Sequence, residues 1–349
     1  MNIKKVTFED HIFHFTHGEY VMSFVTQTEL YVRVLRLETT DGRIGWGEVI
    51  RRGKFDQIAP SLEEPILNSL SGESIASVPV LIRKLQQDDE MFKGLAFGLD
   101  TAYLDWTARK AELPMYALLG GRVLDSVPEY YSLSGGDAEQ AGLTLKSEAT
   151  GWKVVQIKLG IGDLQSDIDM VSVALNALTA DQLILADFNS ALKVDAALSV
   201  IAEFDDHRIV WEEPCKTIEE NTRVAAQCKK PVMFDQCLSD LPTISKVATE
   251  GIAHSVCIKP PFLGGLEVAK TARDLCIEAG MPMRIDGPWC GHIATAANLH
   301  LACGVPEALL IAGCDLRQPL ILDADWGGTH HQPGHHISPF EEPGHGVMP

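Results

Sequence analysis

Val154-Val155-Gln156-Ile157-Lys158-Leu159 is a short apolar run carrying two polar side chains two residues apart. After one helix-length interval a run of the same kind follows, Leu183-Ile184-Leu185-Ala186-Asp187-Phe188-Asn189. On a strand, residues two apart share a face, so each polar pair points one way while the apolar residue between packs the other way. The pattern recurs in units of roughly 25 residues, strand then helix, which is the alternation that builds a parallel sheet. Expected strands cover 128–133, 154–159, 183–187, 209–211, 231–234, 255–258, 282–285 and 309–311. Eight such strands with helices between them predict an α/β chain with a (β/α)₈ TIM barrel.

Upstream the pattern differs. Leu30-Tyr31-Val32-Arg33-Val34-Leu35-Arg36-Leu37 alternates, Asp41-Gly42 turns, and Ile44-Gly45-Trp46-Gly47-Glu48-Val49 returns, predicting an antiparallel meander. From Ile58 to Leu119 the period becomes helical, most clearly between Leu95 and Ala111, and Pro114 ends the run. The expected division is an α+β capping domain over 1–121, the barrel over 122–323, and a Gly-, Pro- and His-rich tail over 324–349 that lies back on the first domain. Thr16 to Thr26 is a candidate lid over the barrel mouth.

The formal net charge is -19, from 48 Asp+Glu against 29 Lys+Arg, with no basic run, which argues against nucleic acid or anionic membrane as partners. A small-molecule carboxylate is the expected partner, and a homo-oligomer the expected assembly. The 8 cysteines fall between Cys215 and Cys314 without a CxxC pair, and charged residues interrupt the N-terminal segment. Reduced thiols and a cytoplasmic location are expected.

In a TIM barrel the reactive groups sit at the C-terminal ends of strands. The polar residues there are Gln156 and Lys158, Asp187 and Asn189, Glu212 and Glu213, Asp235 and Gln236, Lys259, and Asp286. Asp187, Glu212 and Asp235 come from three neighbouring strands and would repel one another in a partly dry pocket. Oxygen-only donors of this kind suit a hard cation such as Mg²⁺. Lys158 and Lys259 then bracket the metal from opposite walls as an acid/base pair. Glu213 is expected to support the site or to partner a barrel lysine. His330, His331, His335, His336 and His345 invite a zinc reading, but the turn-like Gly/Pro spacing favours a structural tail.

These residues, with Gly45-Trp46-Gly47-Glu48, Ala102-Tyr103-Leu104-Asp105-Trp106, Pro114 to Gly121, Asp187-x-Asn189, Trp211-Glu212-Glu213-Pro214, Ile258-Lys259, Leu263-Gly264-Gly265-Leu266 and Pro343-Gly344-His345-Gly346, give a sequence that resembles the enolase superfamily. The resemblance is to its muconate-lactonizing and mandelate-racemase-like branch and spans nearly the whole chain. It implies an enzyme that uses Mg²⁺ and a lysine pair to remove the proton α to a carboxylate, a chemistry for which this superfamily is a standard example.

Two positions depart from the usual pattern: Gln156 stands where a helper lysine is common, and Gln236 follows Asp235 where Glu is common. Gln-x-Lys, with Met283 to His292, is similar to the branch containing hydroxyproline-betaine epimerases and cis-3-hydroxyproline dehydratases. That resemblance implies a racemase or epimerase acting on a proline-like amino acid or betaine. The alternatives are a 3-hydroxyproline dehydratase, muconate-cycloisomerase chemistry, and a catalytically idle binding barrel. The expected substrate contacts are Gln156 through a hydrogen bond to the carboxylate, Asp286 and Trp289 around a cationic amine, Asn189, and Phe55. Arg51, Arg52 and Lys54 beside Phe55 are either an anion-attracting rim or a solvated charge run.

Overall fold

The computed structural model describes residues 1–50, 60–313, 320–321 and 326–349. The N-terminal layer is an antiparallel sheet of Ile3–Phe15, Glu29–Thr39 and Ile44–Val49, as the alternation predicts, joined at its outer edge by Leu320–Ile321. That last pairing, His14 to Ile321 and Phe15 to Leu320, brings chain from within the span assigned to the barrel back onto the capping sheet.

The helix Lys93–Ala111 lies directly on Ile44–Val49. The Gly-x-Gly of that strand makes the approach possible. A Cβ at Gly45 would sit 2.1 Å from the Ala102 carbonyl oxygen, and one at Gly47 would sit 2.0 Å from the Gly98 carbonyl oxygen. The helix is apolar nearly all round and mostly buried, as a helix with layers on two sides must be. It ends at Glu112 in the left-handed region, φ 57°.

Eight parallel strands then follow in strict sequence order around a nearly closed barrel: Tyr130–Leu133, Val154–Lys158, Leu183–Asp187, Ile209–Glu212, Val232–Phe234, Ser255–Ile258, Met283–Ile285 and Leu310–Gly313. Residues Tyr130, Val154, Leu185, Val210, Met233, Cys257 and Ala312 pack together inside as an apolar plug. Two residues further along the first six strands the positions are polar, Ser132, Gln156, Asp187, Glu212, Asp235 and Lys259, and that second layer is the floor of the mouth. Strands two and six are four places apart in a ring of eight, so side chains leaving them face each other across it.

Buried carboxylates of the capping domain hold it on the barrel. Glu48 accepts the backbone N–H groups of Gly291 (2.6 Å) and Ala294 (3.0 Å), at the start of the helix His292–Ala302. Asp100 does the same for Leu266 (2.6 Å) at the start of Leu266–Glu278. Each satisfies donors that a helix N-terminus leaves open.

The tail strands Thr329–Gln332 and His336–Pro339 pair with each other, and the second also pairs with Val127–Pro128 just before the first barrel strand. Beyond them, the His345 backbone donates to Asp105 at 3.0 Å, and Gly344 accepts from Met115 at 2.7 Å. The tail histidines are engaged locally: His335 stacks on Trp152 at 4.0 Å, and His331 lies 3.4 Å from Glu129. No helix among the described residues is long and apolar enough to cross a membrane.

Candidate active site

The second polar layer opens into a cavity of about 360 Å³. Lys158, Asp187, Asn189, Lys259, Arg284 and Asp286 line its floor, Trp289 its side, and Met22, Phe24 and Val25 its roof. The roof belongs to the segment read as a lid, a small hairpin pairing Tyr20–Val21 with Thr26–Gln27. Tyr20 is buried and its ring meets Trp289 edge-on at 5.2 Å, which fixes the hairpin against the wall.

Lys158 Nζ donates to Asp187 Oδ2 at 2.5 Å, and Lys259 Nζ donates to Asp235 Oδ2 at 2.7 Å. The two ion pairs stand on opposite sides of the mouth. Burial opposes charge on both lysines, yet the adjoining acidic groups outweigh it, and both are raised above the usual lysine range. Asp187 moves up to about 6, because burial and the nearby Glu212 charge prevail over Lys158. Glu212 moves down: burial pushes it up, but Arg284, Lys158 and Lys259 together overcome that.

The sequence argument assigned the relief of carboxylate repulsion to a metal. Here three side-chain cations provide it, Lys158 for Asp187, Lys259 for Asp235 and Arg284 for Glu212. Among the described residues no three His, Cys, Asp or Glu side chains stand already gathered around one point. The set nevertheless fits a hard divalent cation. It offers only oxygen donors from neighbouring strand ends, and Asp235 Oδ1 is buried with no hydrogen-bond partner among the described residues. An orphaned carboxylate oxygen in a dry site needs a positive partner.

Arg284, which falls in the Met283 to His292 segment, had no role of its own in the sequence reading. The signal was present: it stands two residues before Asp286, the same inward spacing that singled out Gln156 and Lys158. Its Nη1 donates to Glu212 Oε2 at 3.1 Å, Nη2 donates to Glu212 Oε1, and Nε lies 3.3 Å from Asp286 Oδ2.

Gln156, expected to meet the substrate, has its amide engaged elsewhere, donating to Glu212 Oε2 at 2.9 Å and accepting from the Ser132 hydroxyl at 2.8 Å. Asn189 occupies the left-handed region at φ 46° and turns back on Asp187, with its backbone N–H and its side-chain amide each 2.8 Å from that carboxylate. Glu213, expected either to support the site or to partner a barrel lysine, does the former, through backbone contacts. At φ 40° it accepts the N–H of Asp235 (2.6 Å) and of Cys237 (2.9 Å), aiming the turn that carries Asp235. Burial and the neighbouring Asp235 charge push it up to about 8.

Asp286 Oδ2 accepts from Tyr130 at 3.1 Å, while its Oδ1 has no partner among the described residues. Trp289 is buried beside it. Phe55, with Arg51, Arg52 and Lys54, lies outside the described residues.

Comparison with known proteins agrees with this fold. Residues 9–120 fit the mandelate racemase/muconate lactonizing enzyme N-terminal domain, and residues 139–349 fit the enolase C-terminal domain-like family. The chain is 28% identical over 324 residues to a cis-3-hydroxy-L-proline dehydratase of Roseibium aggregatum, covering 90% of this chain and 87% of that one. It is 28% identical over 328 residues to muconate cycloisomerase 1 of Acinetobacter baylyi, covering 88% and 85%. A solved enolase-superfamily structure from Roseovarius nubinhibens ISM, complexed with magnesium, superposes with a TM-score of 0.86 at 27% identity, covering 99% and 95%. The protein is therefore an enzyme, and the chain belongs to the mandelate racemase/muconate lactonizing enzyme branch of the enolase superfamily.

Proposed function

We propose that the protein removes the proton α to the carboxylate of a small substrate bearing a cationic amine, and returns a proton to the opposite face. The substrate class is a proline-like amino acid or betaine, and the reaction a racemisation or epimerisation. The observation that carries this reading is the pair of lysines on opposite walls, each with its own aspartate.

Asp187, Glu212 and Asp235 would hold Mg²⁺, which when bound supplies positive charge that makes the α-proton more acidic. With those carboxylates engaged, Lys158 and Lys259 lose the partners that hold them protonated. One lysine, neutral at Nζ, takes the α-proton from its side, and the other, still charged, delivers a proton from across the mouth. The Oδ1 of Asp286, without a partner among the described residues, and the Trp289 ring form a cradle for the amine. The roof hairpin excludes water while the carbanion persists.

A second reading, dehydration of a 3-hydroxyproline, is favoured by the relative named for that reaction. It shares the first step and then loses a β-hydroxyl with a lysine as acid. A panel of amino acids and betaines incubated with the protein and Mg²⁺ in D₂O separates the two. Deuterium at an inverted α-carbon supports epimerisation, and an imine or keto product supports dehydration. No exchange with any member of the panel would contradict both.

A further inference from the structure

Glu212 is held from two sides. On one side Gln156 Nε2 donates to it at 2.9 Å, and the amide takes that sense because an ionised carboxylate can only accept, which leaves Oε1 to accept from Ser132 at 2.8 Å. Ser132 Oγ in turn lies 2.5 Å from the Tyr20 hydroxyl of the roof hairpin. On the other side Arg284 grips both Glu212 oxygens. Both members of this ion pair are essentially inaccessible, and the guanidinium also lies 5.1 Å from the centre of the Tyr130 ring.

Position 156 therefore contributes a hydrogen bond without charge, and the cation gripping Glu212 comes from the seventh strand. A lysine at 156 would bring an ammonium to the same carboxylate, and two cations there would repel each other. Glutamine at 156 and arginine at 284 form a matched pair.

We propose that Arg284 is a positioning residue that supplies, from the seventh strand, the fixed positive charge that position 156 gives up. It ties Glu212 to Asp286 and limits how strongly the carboxylate set takes a divalent cation. The proposal rests on the reading of Asp187, Glu212 and Asp235 as metal ligands. A guanidinium that shares Glu212 leaves a bound cation less neutralised, and so better able to draw charge from a substrate carboxylate.

The test is calorimetric titration of the full-length protein with Mg²⁺ alone, without substrate. Arg284→Gln keeps a hydrogen-bonding group and removes the charge, and it binds Mg²⁺ at least about threefold more tightly than the wild type. Gln156→Lys adds a second cation and binds at least about threefold more weakly. Arg284→Lys and the double variant Gln156→Lys/Arg284→Gln, each with one cation at Glu212, return to within about threefold of the wild type.

A smaller or opposite change in either charge-altering variant overturns the proposal, as does failure of the double variant to return. Should Arg284→Gln not fold, Gln156→Lys decides alone, since it leaves Arg284 in place. A wild type that takes no Mg²⁺ removes the metal reading and the proposal together. A wild type that binds while Arg284→Gln is unchanged removes the proposal only.

Discussion

Lys259 Nζ donates to one oxygen of Asp235 at 2.7 Å, while the other oxygen of that buried carboxylate accepts no hydrogen bond from the described residues. A lysine and an unfilled acceptor thus share one aspartate. Asp235→Asn removes the charge from both, and Mg²⁺ affinity measured by calorimetry falls by at least about tenfold, the scale of loss seen even when an outer partner of a metal ligand is removed. Unchanged affinity would place the metal elsewhere.

The seating of the capping domain depends on protonation. Burial pushes Asp100 up to about 7, the nearby Glu267 charge adds to this, and the N–H groups of Leu266 and Glu267 oppose it. In the unfolded chain the group titrates near 4. Between those values the folded chain keeps a proton that the unfolded chain has released. The contribution of Asp100 to stability is therefore greatest at low pH, falls as pH rises through this window, and levels off above about 7. Asp100→Asn carries no such proton and gains on the wild type by up to about 1.4 kcal/mol per pH unit across the window. Urea midpoints of the two proteins at about pH 5 and about pH 8 measure the change, and a pH-independent difference contradicts it.

Gly47 exists for contact rather than flexibility. A Cβ there meets the Gly98 carbonyl oxygen at 2.0 Å, and backbone on both sides prevents relief. Gly47→Ala costs about 3 kcal/mol in urea unfolding, at the upper end of overpacking penalties. Gly136→Ala, where nothing lies within 4 Å, costs less than about 0.5 kcal/mol. Equal midpoints for the two variants would refute the close-packing account.

The barrel was legible because its strands are short, apolar and regularly spaced, and because polar residues two apart mark the inward face. Val154–Lys158, Leu183–Asp187 and Ser255–Ile258 fall within or on the expected bounds. The placement of Lys158, Asp187, Glu212, Asp235 and Lys259 at the ends of barrel strands was legible for the same reason. What failed to show was pairing. Nothing local in Gln156 says that its amide bridges Ser132 and Glu212, and nothing in Glu213 reveals a φ of 40°. Arg284 escaped notice because an arginine beside an aspartate on a strand reads as an ordinary charge pair until a distant glutamate is seen to meet it. Leu320–Ile321 joins the capping sheet through contacts with the other end of the chain, which no window of sequence contains.

The most direct test is stereospecific α-proton exchange in D₂O, followed by proton NMR, on whichever amino acid or betaine the wild type turns over. Lys158→Met and Lys259→Met each lose epimerisation by about a thousandfold. Each still exchanges the α-proton of one enantiomer, and the two variants retain opposite enantiomers, because each keeps one wall of the mouth. Wild-type exchange of both enantiomers in both variants would contradict the assignment of Lys158 and Lys259 as the facing acid/base pair.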